Sequence, residues 1–309
     1  MKNQKTFSAL SIAGLFLASM IYMGCSKERI ETRSLNQYNS PNSYLDSKKE
    51  QEQEFVINSD SGGTIIGNQG TKLYGSRHCF VFPNGDSVAL PFSIKLVELY
   101  GAKQMIYYQM PTVAGGTILK TDGEIRYRAF KNGTELKLKP DPCLAAIEMP
   151  NSAPQSGMKV FYGFDSGGFP DWTDNPASLG VTTSLSPNFT TNSYGYAASI
   201  ARLGWINCGQ TAGSSSNSVL NFASTVDDLT NVAIFIYIPA TKTVMQVYGN
   251  LVSTNIPNGS AVKVVCIAVD ASNTLFSYTQ NLTVTANTQI DVTMAATTDP
   301  ALTSVLTGL

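Results

Sequence analysis

The sequence predicts an all-β protein made of tandem antiparallel β-sandwich modules. Apolar and polar residues alternate in several segments, most clearly at Ile125, Tyr127 and Ala129 between charged neighbours, which is typical of strands with one buried face. Turn sequences such as Pro83-Asn84-Gly85-Asp86 and Lys131-Asn132-Gly133 separate these segments at short intervals. Because no long segment has the 3.6-residue period of an amphipathic helix, the pattern favours sandwiches.

The composition argues against several classes of protein. The 309 residues carry 21 Lys and Arg against 22 Asp and Glu, which gives a formal net charge of -1. A basic nucleic-acid-binding surface is therefore not expected. The single histidine disfavours most metalloenzymes and His-dependent catalytic triads. With no P-loop, no G-x-G-x-x-G motif and no G-x-S-x-G motif, we expect neither an enzyme nor a cofactor.

Residues 1–24 have the features of a secretory signal. Two lysines precede the uncharged run 7–23, which is the order of segments in an export signal. The sequence that follows, Ile21-Tyr22-Met23-Gly24-Cys25, resembles the lipobox of bacterial lipoproteins. The resemblance implies that Cys25 begins the mature chain, carries its lipid and anchors it to the outer membrane, facing the periplasm or the cell surface. The alternatives are an uncleaved membrane anchor and a plain secretory signal.

Residues 25–54 are predicted to comprise the lipidated cysteine and a flexible tether. Eleven of the 28 residues in the segment 27–54 are charged, with both signs represented. Such a segment has too little apolar area to offset the entropy lost on ordering it. A solvated helix from Ser43 to Phe55 is the alternative.

Residues 55–140 are predicted to form the first sandwich. Four segments carry a family resemblance: Gly62-Gly63-Thr64-Ile65, Gly70-Thr71-Lys72-Leu73, Ile94-Lys95-Leu96-Val97-Glu98 and Pro111-Thr112. They resemble the ZU-type β-sandwich of ankyrins and netrin receptors, and more closely its relatives in uncharacterised Gram-negative surface lipoproteins. Some members of the family cleave themselves at a His-Phe-Ser sequence. Here His78-Cys79-Phe80 has no serine after it, so self-cleavage is not implied.

The rest of the chain is predicted to contain a connector and a second sandwich. Paired prolines near residue 141 indicate a boundary, and residues 141–215 are rich in glycine and aromatic residues. We interpret this segment as a linker followed by an irregular β connector or a small β-unit packed against its neighbours. In residues 216–309, two nearly continuous apolar runs of strand length, 233–238 and 261–269, predict a module like an immunoglobulin or transthyretin domain.

The loop from Asp165 to Asn175 is the best candidate site. Asp165, Asp171 and Asp174 could provide oxygen ligands for calcium, although their spacing lacks the order of an EF-hand loop. Alternatively, Phe169 and Trp172 could stack on a sugar ring. The third interpretation is a solvated turn with Trp172 packed inward.

Other residue types give weaker signals. His78 and Cys79 are adjacent in a predicted strand and so point to opposite faces, with Cys79 expected in the core. Cys79, Cys143, Cys208 and Cys266 are too widely spaced for a zinc site. A Cys143–Cys208 disulfide and free buried thiols at Cys79 and Cys266 both remain open. Two further residues, Glu98 and Glu124, could form an acid–base pair, but the strand pattern places both toward solvent.

The sequence therefore predicts a non-catalytic binding or structural lipoprotein at the cell envelope. Its expected partners are the membrane, through the N-terminal lipid, and a protein or a glycan. Two alternatives are an envelope hydrolase that acts on glycans or peptides through carboxylates, and a calcium-stabilised adhesion stalk.

Overall fold

The computed structural model describes residues 34–60, 63–140 and 145–309, and it confirms the predicted all-β fold. The predicted signal 1–24 and Cys25 lie outside the described residues. The elements up to residue 211 are, in chain order, α1 (Asn42–Ser47), β1 (Gln53–Ile57), β2 (Thr64–Ile66), β3 (Lys72–Tyr74), a 3₁₀ turn (Arg77–Cys79), β4 (Phe80–Val81), β5 (Phe92–Leu99), α2 (Ala102–Tyr108), β6 (Val113–Ala114), β7 (Thr117–Lys131), β8 (Thr134–Glu135), β9 (Lys137–Leu138), β10 (Ala145–Pro150), β11 (Lys159–Asp165), β12 (Pro170–Thr173), a 3₁₀ turn (Pro176–Leu179), β13 (Thr190–Thr191), β14 (Gly195–Ile200) and β15 (Gly204–Thr211).

The remaining elements follow β15. Its elements are β16 (Asn217–Ser218), β17 (Leu220–Ala223), a 3₁₀ turn (Leu229–Asn231), β18 (Ala233–Ile238), β19 (Thr243–Val247), β20 (Ile256–Pro257), β21 (Ala261–Val269), β22 (Leu275–Thr283), β23 (Thr288–Asp291), β24 (Ala295–Ala296) and α3 (Asp299–Thr307). None of the helices in the described ranges is long and apolar enough to cross a bilayer.

The first sandwich pairs an eight-stranded sheet with a five-stranded sheet. The first sheet has the order β1-β5-β7-β15-β11-β12, with β6 and β8 also paired to β7, and the second has the order β13-β14-β10-β3-β2. As predicted, Ile125, Tyr127 and Ala129 of β7 are buried on one face. They belong to the apolar core between the two sheets, which we call the first core.

The segment 141–215 is not a separate connector. Strands β11 and β15 from this segment join the first sheet, because β15 pairs with β7 and β11 pairs with β15. Strands β10 and β14 pair with each other in the second sheet, and β10 also pairs with β3. The interpretation as a connector was wrong because an irregular glycine-rich sequence can still supply the backbone pairs that close a sandwich.

The second sandwich is built on a five-stranded sheet with the order β19-β18-β21-β22-β24. Alternate residues of β18 face opposite sides, so Ile234 and Ile236 lie in the core of this sandwich, which we call the second core. Phe235, between them, lies in a different apolar cluster. Burial on both faces accounts for the nearly continuous apolar runs in β18 and β21.

A shared core joins the two sandwiches. It contains Val97, Leu119 and Phe161 from the first sheet and Phe235 and Val265 from the second sandwich. Side chains of the three helices in the described residues fill the space between these sheets: Leu45 of α1, Met105 and Ile106 of α2, and Leu302 and Leu306 of α3. Residues Leu35–Leu309 accordingly form one unit.

Part of the predicted tether is an ordered strap, which we define as residues 34–52. The backbone amide of Asn36 donates to the carbonyl of Val226 at 2.8 Å, and that of Asn39 donates to Val269 at 2.7 Å. Leu45 is fully buried in the shared core. The prediction of a flexible tether was wrong for these residues because a few apolar side chains, spaced among polar ones, dock onto both sandwiches.

Candidate functional site

The loop from Asp165 to Asn175 lies where the two sandwiches meet. The end of β11 and the start of β12 form one wall of a depression of about 380 Å³, and β19 with the turn after it forms the other. A second depression of about 170 Å³ adjoins the first and shares Phe169, Gln246 and Tyr248 with it. We call the two depressions the junction groove. Its larger part is lined by Pro111, Val113, Gly116, Ser166, Phe169, Pro170, Asp171, Met245, Gln246, Tyr248, Asn250, Val252, Ser253 and Thr254.

An aromatic pair crosses the groove. The rings of Phe169 and Tyr248 have centroids 4.2 Å apart and planes inclined by 48°. Phe169 remains 47% exposed, whereas the other phenylalanines in the described ranges are buried or half-buried. The loop geometry explains the exposure, because Gly167 and Gly168 both adopt positive φ angles and carry Phe169 out from β11. The predicted stacking residue is thus presented to solvent and supported from behind by a tyrosine of the other sandwich.

Two polar side chains in the groove wall have unpaired atoms. Gln246 Oε1 and the Tyr248 hydroxyl are buried and have no hydrogen-bond partner among the described residues. Burial, and secondly the negative charge of Asp171, raise the pKa of Tyr248 to about 12, so this hydroxyl is protonated at neutral pH. Since leaving buried polar atoms unpaired costs about 1–3 kcal/mol each, a ligand that bonded to them would recover that energy.

The three predicted calcium ligands have separate partners. Asp171 lies in the groove wall, where its Oδ1 accepts from the amides of Gly115 at 2.8 Å and Trp172 at 2.7 Å. Asp165 accepts from the amide of Gly168 at 2.8 Å and so holds the loop turn. Asp174 pairs with Lys159 at 2.7 Å. Among residues 34–60, 63–140 and 145–309, no group of three or more His, Cys, Asp or Glu is arranged to hold a metal ion.

Trp172 points inward rather than into the groove. It is 2% exposed and belongs to the shared core. Its indole N–H donates to the carbonyl of Pro111 at 2.6 Å. The stacking role proposed for Trp172 was therefore wrong, because strand alternation in β12 turns this side chain toward the apolar interior while Asp171 faces the groove.

The predicted acid–base pair is separated by a sheet. The register places Glu98 opposite Ile125 and Glu124 opposite Leu99, so the two carboxylates lie on opposite faces. Both are buried, which contradicts the prediction that they face solvent. Hydrogen bonds from the Gln69 and Thr71 amides stabilise the Glu98 carboxylate, at 2.9 and 2.8 Å.

Glu124 is fully buried with one hydrogen bond. Its Oε1 accepts from Asn207 Nδ2 at 3.0 Å, and its Oε2 has no partner among the described residues. Burial raises the pKa of Glu124 well above its usual value, and the bond from Asn207 opposes this effect only in part.

The cysteines follow neither of the two schemes considered for them. Cys79 is disulfide-bonded, and Cys208 and Cys266 are free and buried. The Cys143–Cys208 bridge and the free thiol at Cys79 were thus wrong predictions, whereas the free thiol at Cys266 is confirmed; Cys143 lies outside the described residues. His78 is exposed in a 3₁₀ turn rather than a strand, next to buried Cys79.

Sequence reasoning missed Tyr248 and Gln246. A signal was present in Tyr248-Gly249-Asn250, an aromatic residue at the start of a turn directly after an apolar strand. Nothing in the sequence indicated that this turn and the loop around Phe169, some eighty residues apart, would meet. Comparisons with protein-family models, curated proteins and solved structures found no match for the chain.

Proposed function

We propose that the chain is a non-catalytic binding module, held at the cell envelope by a lipid on Cys25, that takes its ligand in the junction groove. The groove itself carries the proposal. It combines an exposed aromatic ring, Phe169, with unpaired polar atoms of Gln246 and Tyr248. Concave sites with apolar surface and a few polar groups are the usual form of small-ligand sites, and the larger depression lies within their range of about 300–1,000 Å³.

The shared core supports a binding role. The two walls of the groove come from different sandwiches, and a movable junction would leave the spacing between Phe169 and Tyr248 undefined. Apolar side chains from three helices and two sheets fill the space between the sandwiches instead. A site on rigid elements loses little entropy when a ligand binds.

The location at the envelope rests on the sequence around Gly24-Cys25. Acyl chains contribute about 0.8 kcal/mol for each buried methylene, so a lipidated N-terminal cysteine with more than one chain gives stable attachment.

The anchor is tested by labelling cells with radioactive palmitate. We expect the wild-type chain to take up label and to sediment with membranes, and Cys25→Ser to take up none. A second chain, with residues 1–25 replaced by an ordinary secretory signal, should also take up no label. Label on either of these two chains, or no label on the wild-type chain, would contradict the anchor. Protease treatment of intact and permeabilised cells then distinguishes a surface from a periplasmic location.

The binding role is tested with the purified unlipidated chain that begins at Ser26. We expect it to co-sediment with washed cell envelopes, and Phe169→Ala to reduce the bound fraction about tenfold. Val56→Ala is the matched control, because Val56 is another large apolar side chain, 60% exposed on β1. No co-sedimentation, or equal retention of the Phe169 and Val56 variants, would overturn the proposal.

A further inference from the structure

We infer that the ligand of the junction groove is an uncharged glycan. This inference rests on the proposed function and concerns the chemistry that the groove can recognise. It is carried by the charge of the lining, by the hydrogen-bonding groups that lack partners and by the exposed ring of Phe169.

The lining is almost without charge. Asp171 is the one charged residue that lines the larger depression, and the smaller depression has none. An anionic ligand would find no cation there and would be repelled by Asp171. A cationic ligand would have a single carboxylate, whose Oδ1 already accepts two amide hydrogen bonds. The groove therefore favours a neutral ligand.

The unpaired polar groups of the groove favour a ligand rich in hydroxyls. Gln246 Oε1 can only accept, and the Tyr248 hydroxyl can donate or accept; both lack partners in the described part of the chain. The carboxylate of Asp171 has a second oxygen, Oδ2, to which no described residue donates. Each sugar hydroxyl both donates and accepts, so neighbouring hydroxyls of one ring can satisfy such a mixture of groups.

The exposed ring of Phe169 provides an apolar surface on which a sugar can stack. One side of Phe169 contacts Tyr248, with ring centroids 4.2 Å apart, and 47% of its surface remains exposed. A pyranose ring presents a flat face of C–H groups, which stacks on an aromatic ring at low entropic cost because phenylalanine has only two side-chain torsions.

The two glycines before Phe169 face open space. A Cβ atom added at Gly167 or Gly168 would have no heavy atom within 4 Å. Gln246 Oε1 and the Tyr248 hydroxyl are themselves buried, and the Phe169 ring packs on Tyr248. Hydroxyls of the ligand therefore reach these atoms when the side chain of Phe169 shifts on binding.

Calorimetry with the purified unlipidated chain tests the class of ligand. The probes are neutral glucan, mannan and xylan oligosaccharides, with polygalacturonate and heparin fragments as charged comparisons. We expect one or more neutral probes to bind, and Phe169→Ala and Gln246→Ala each to weaken binding about tenfold, with Val56→Ala unchanged. Circular dichroism melting confirms that each variant is folded. Preference for a charged probe, or binding that neither groove variant weakens, would overturn the inference.

Treated envelopes distinguish failure of this inference from failure of the proposed function. Co-sedimentation should survive digestion of the envelopes with protease and should be lost after periodate oxidation, which cleaves the vicinal diols of sugars. Loss after protease and survival after periodate would show a protein partner, which overturns the glycan inference and leaves the binding function intact. No co-sedimentation with untreated envelopes overturns both.

Discussion

The hydroxyl of Tyr38 donates a hydrogen bond of 2.7 Å to Asp227, which lies 189 residues later in the chain. The same carboxylate accepts from Asn36 Nδ2 and from the backbone amide of Met294, both at 2.9 Å. Asp227 thus connects the strap to two separate segments of the second sandwich. Although burial raises the pKa of Asp227, the bonds from Met294, Tyr38 and Asn36 outweigh this effect and hold it below its usual value.

Removing these bonds should release the strap. We expect Tyr38→Phe to lower the free energy of unfolding by about 1.5–3 kcal/mol, the usual cost of losing a hydrogen bond to a charged group. Asp227→Ala, which leaves three donors unpaired, should cost more. Urea unfolding measures both changes, and trypsin cleavage after Lys48 and Lys49 reports on the strap itself. Exposed Asp291→Asn is the control; equal effects of the three variants would contradict the role of Asp227.

Stability should fall in acid as Asp227 becomes protonated. A carboxyl whose pKa is lowered on folding contributes stability above its unfolded pKa, near 4, and loses that contribution as the pH falls through the folded pKa. We therefore expect the difference in unfolding free energy between the wild type and Asp227→Asn to be largest at neutral pH and to shrink below about pH 4. A constant difference would contradict this.

Glu124 should have the opposite dependence on pH. Its pKa is raised on folding. The contribution of Glu124 to stability is therefore fully present below its unfolded pKa of about 4.3, and it is lost as the pH rises through its folded pKa. Glu124→Gln keeps the acceptor for Asn207 without the ionisable group. We expect this variant to be more stable than the wild type at pH 7.5 and similar at pH 4.5, by thermal melting. Glu54 is exposed, so the control variant Glu54→Gln should leave the melting temperature unchanged at both pH values. An equal gain at both pH values for Glu124→Gln would contradict the prediction.

The two tryptophans should differ in fluorescence. Trp205→Phe leaves Trp172, which is 2% exposed, as the remaining indole. We expect its emission to be blue-shifted and poorly quenched by acrylamide, whereas Trp172→Phe leaves half-buried Trp205 open to the quencher. Trp172→Phe should also cost about 1–3 kcal/mol, because the carbonyl of Pro111 loses its donor. Equal quenching of the two variants would contradict the inward orientation of Trp172.

Thiol labelling should separate the cysteines into two groups. Burial raises the pKa of the Cys208 and Cys266 thiols, and the thiolate is the reactive form. We expect no modification of either residue by iodoacetamide in the folded chain and full modification in urea without reductant. Cys79 should be modified only after reduction. Peptide mapping by mass spectrometry identifies the sites, and rapid labelling of folded Cys208 or Cys266 would contradict their burial.

Local patterns predicted the strands well. The alternation at Ile125, Tyr127 and Ala129 gave the correct buried face of β7, because a half-buried strand has one favourable arrangement of apolar side chains. The apolar run 233–238 was correctly identified as a strand. Its second buried face was not recognised, because the partner that covers that face comes from other parts of the chain.

Contacts between distant segments were the main omission. Tyr38 and Leu45 are single apolar residues in a polar segment, and their burial depends on surfaces made by both sandwiches. Phe169, a candidate from the sequence, is exposed in the structure, but Tyr248 was not found. A loop sequence carries no information about which other turn it meets once the sheets have formed, so half of the candidate site lay beyond prediction.

The strap also determines which contacts bear a pulling force applied at its N-terminal side. Nine residues lie between Cys25, the proposed anchor, and Leu35, where the folded unit begins. A pull from the membrane first loads the bridge between Asn36 and Asp227. Beyond it, Tyr44 and Lys48 of the strap bond to Asp299 of the C-terminal helix at 2.8 and 2.7 Å. Force applied at one end of the chain is therefore transmitted to the other end before the first strand is reached.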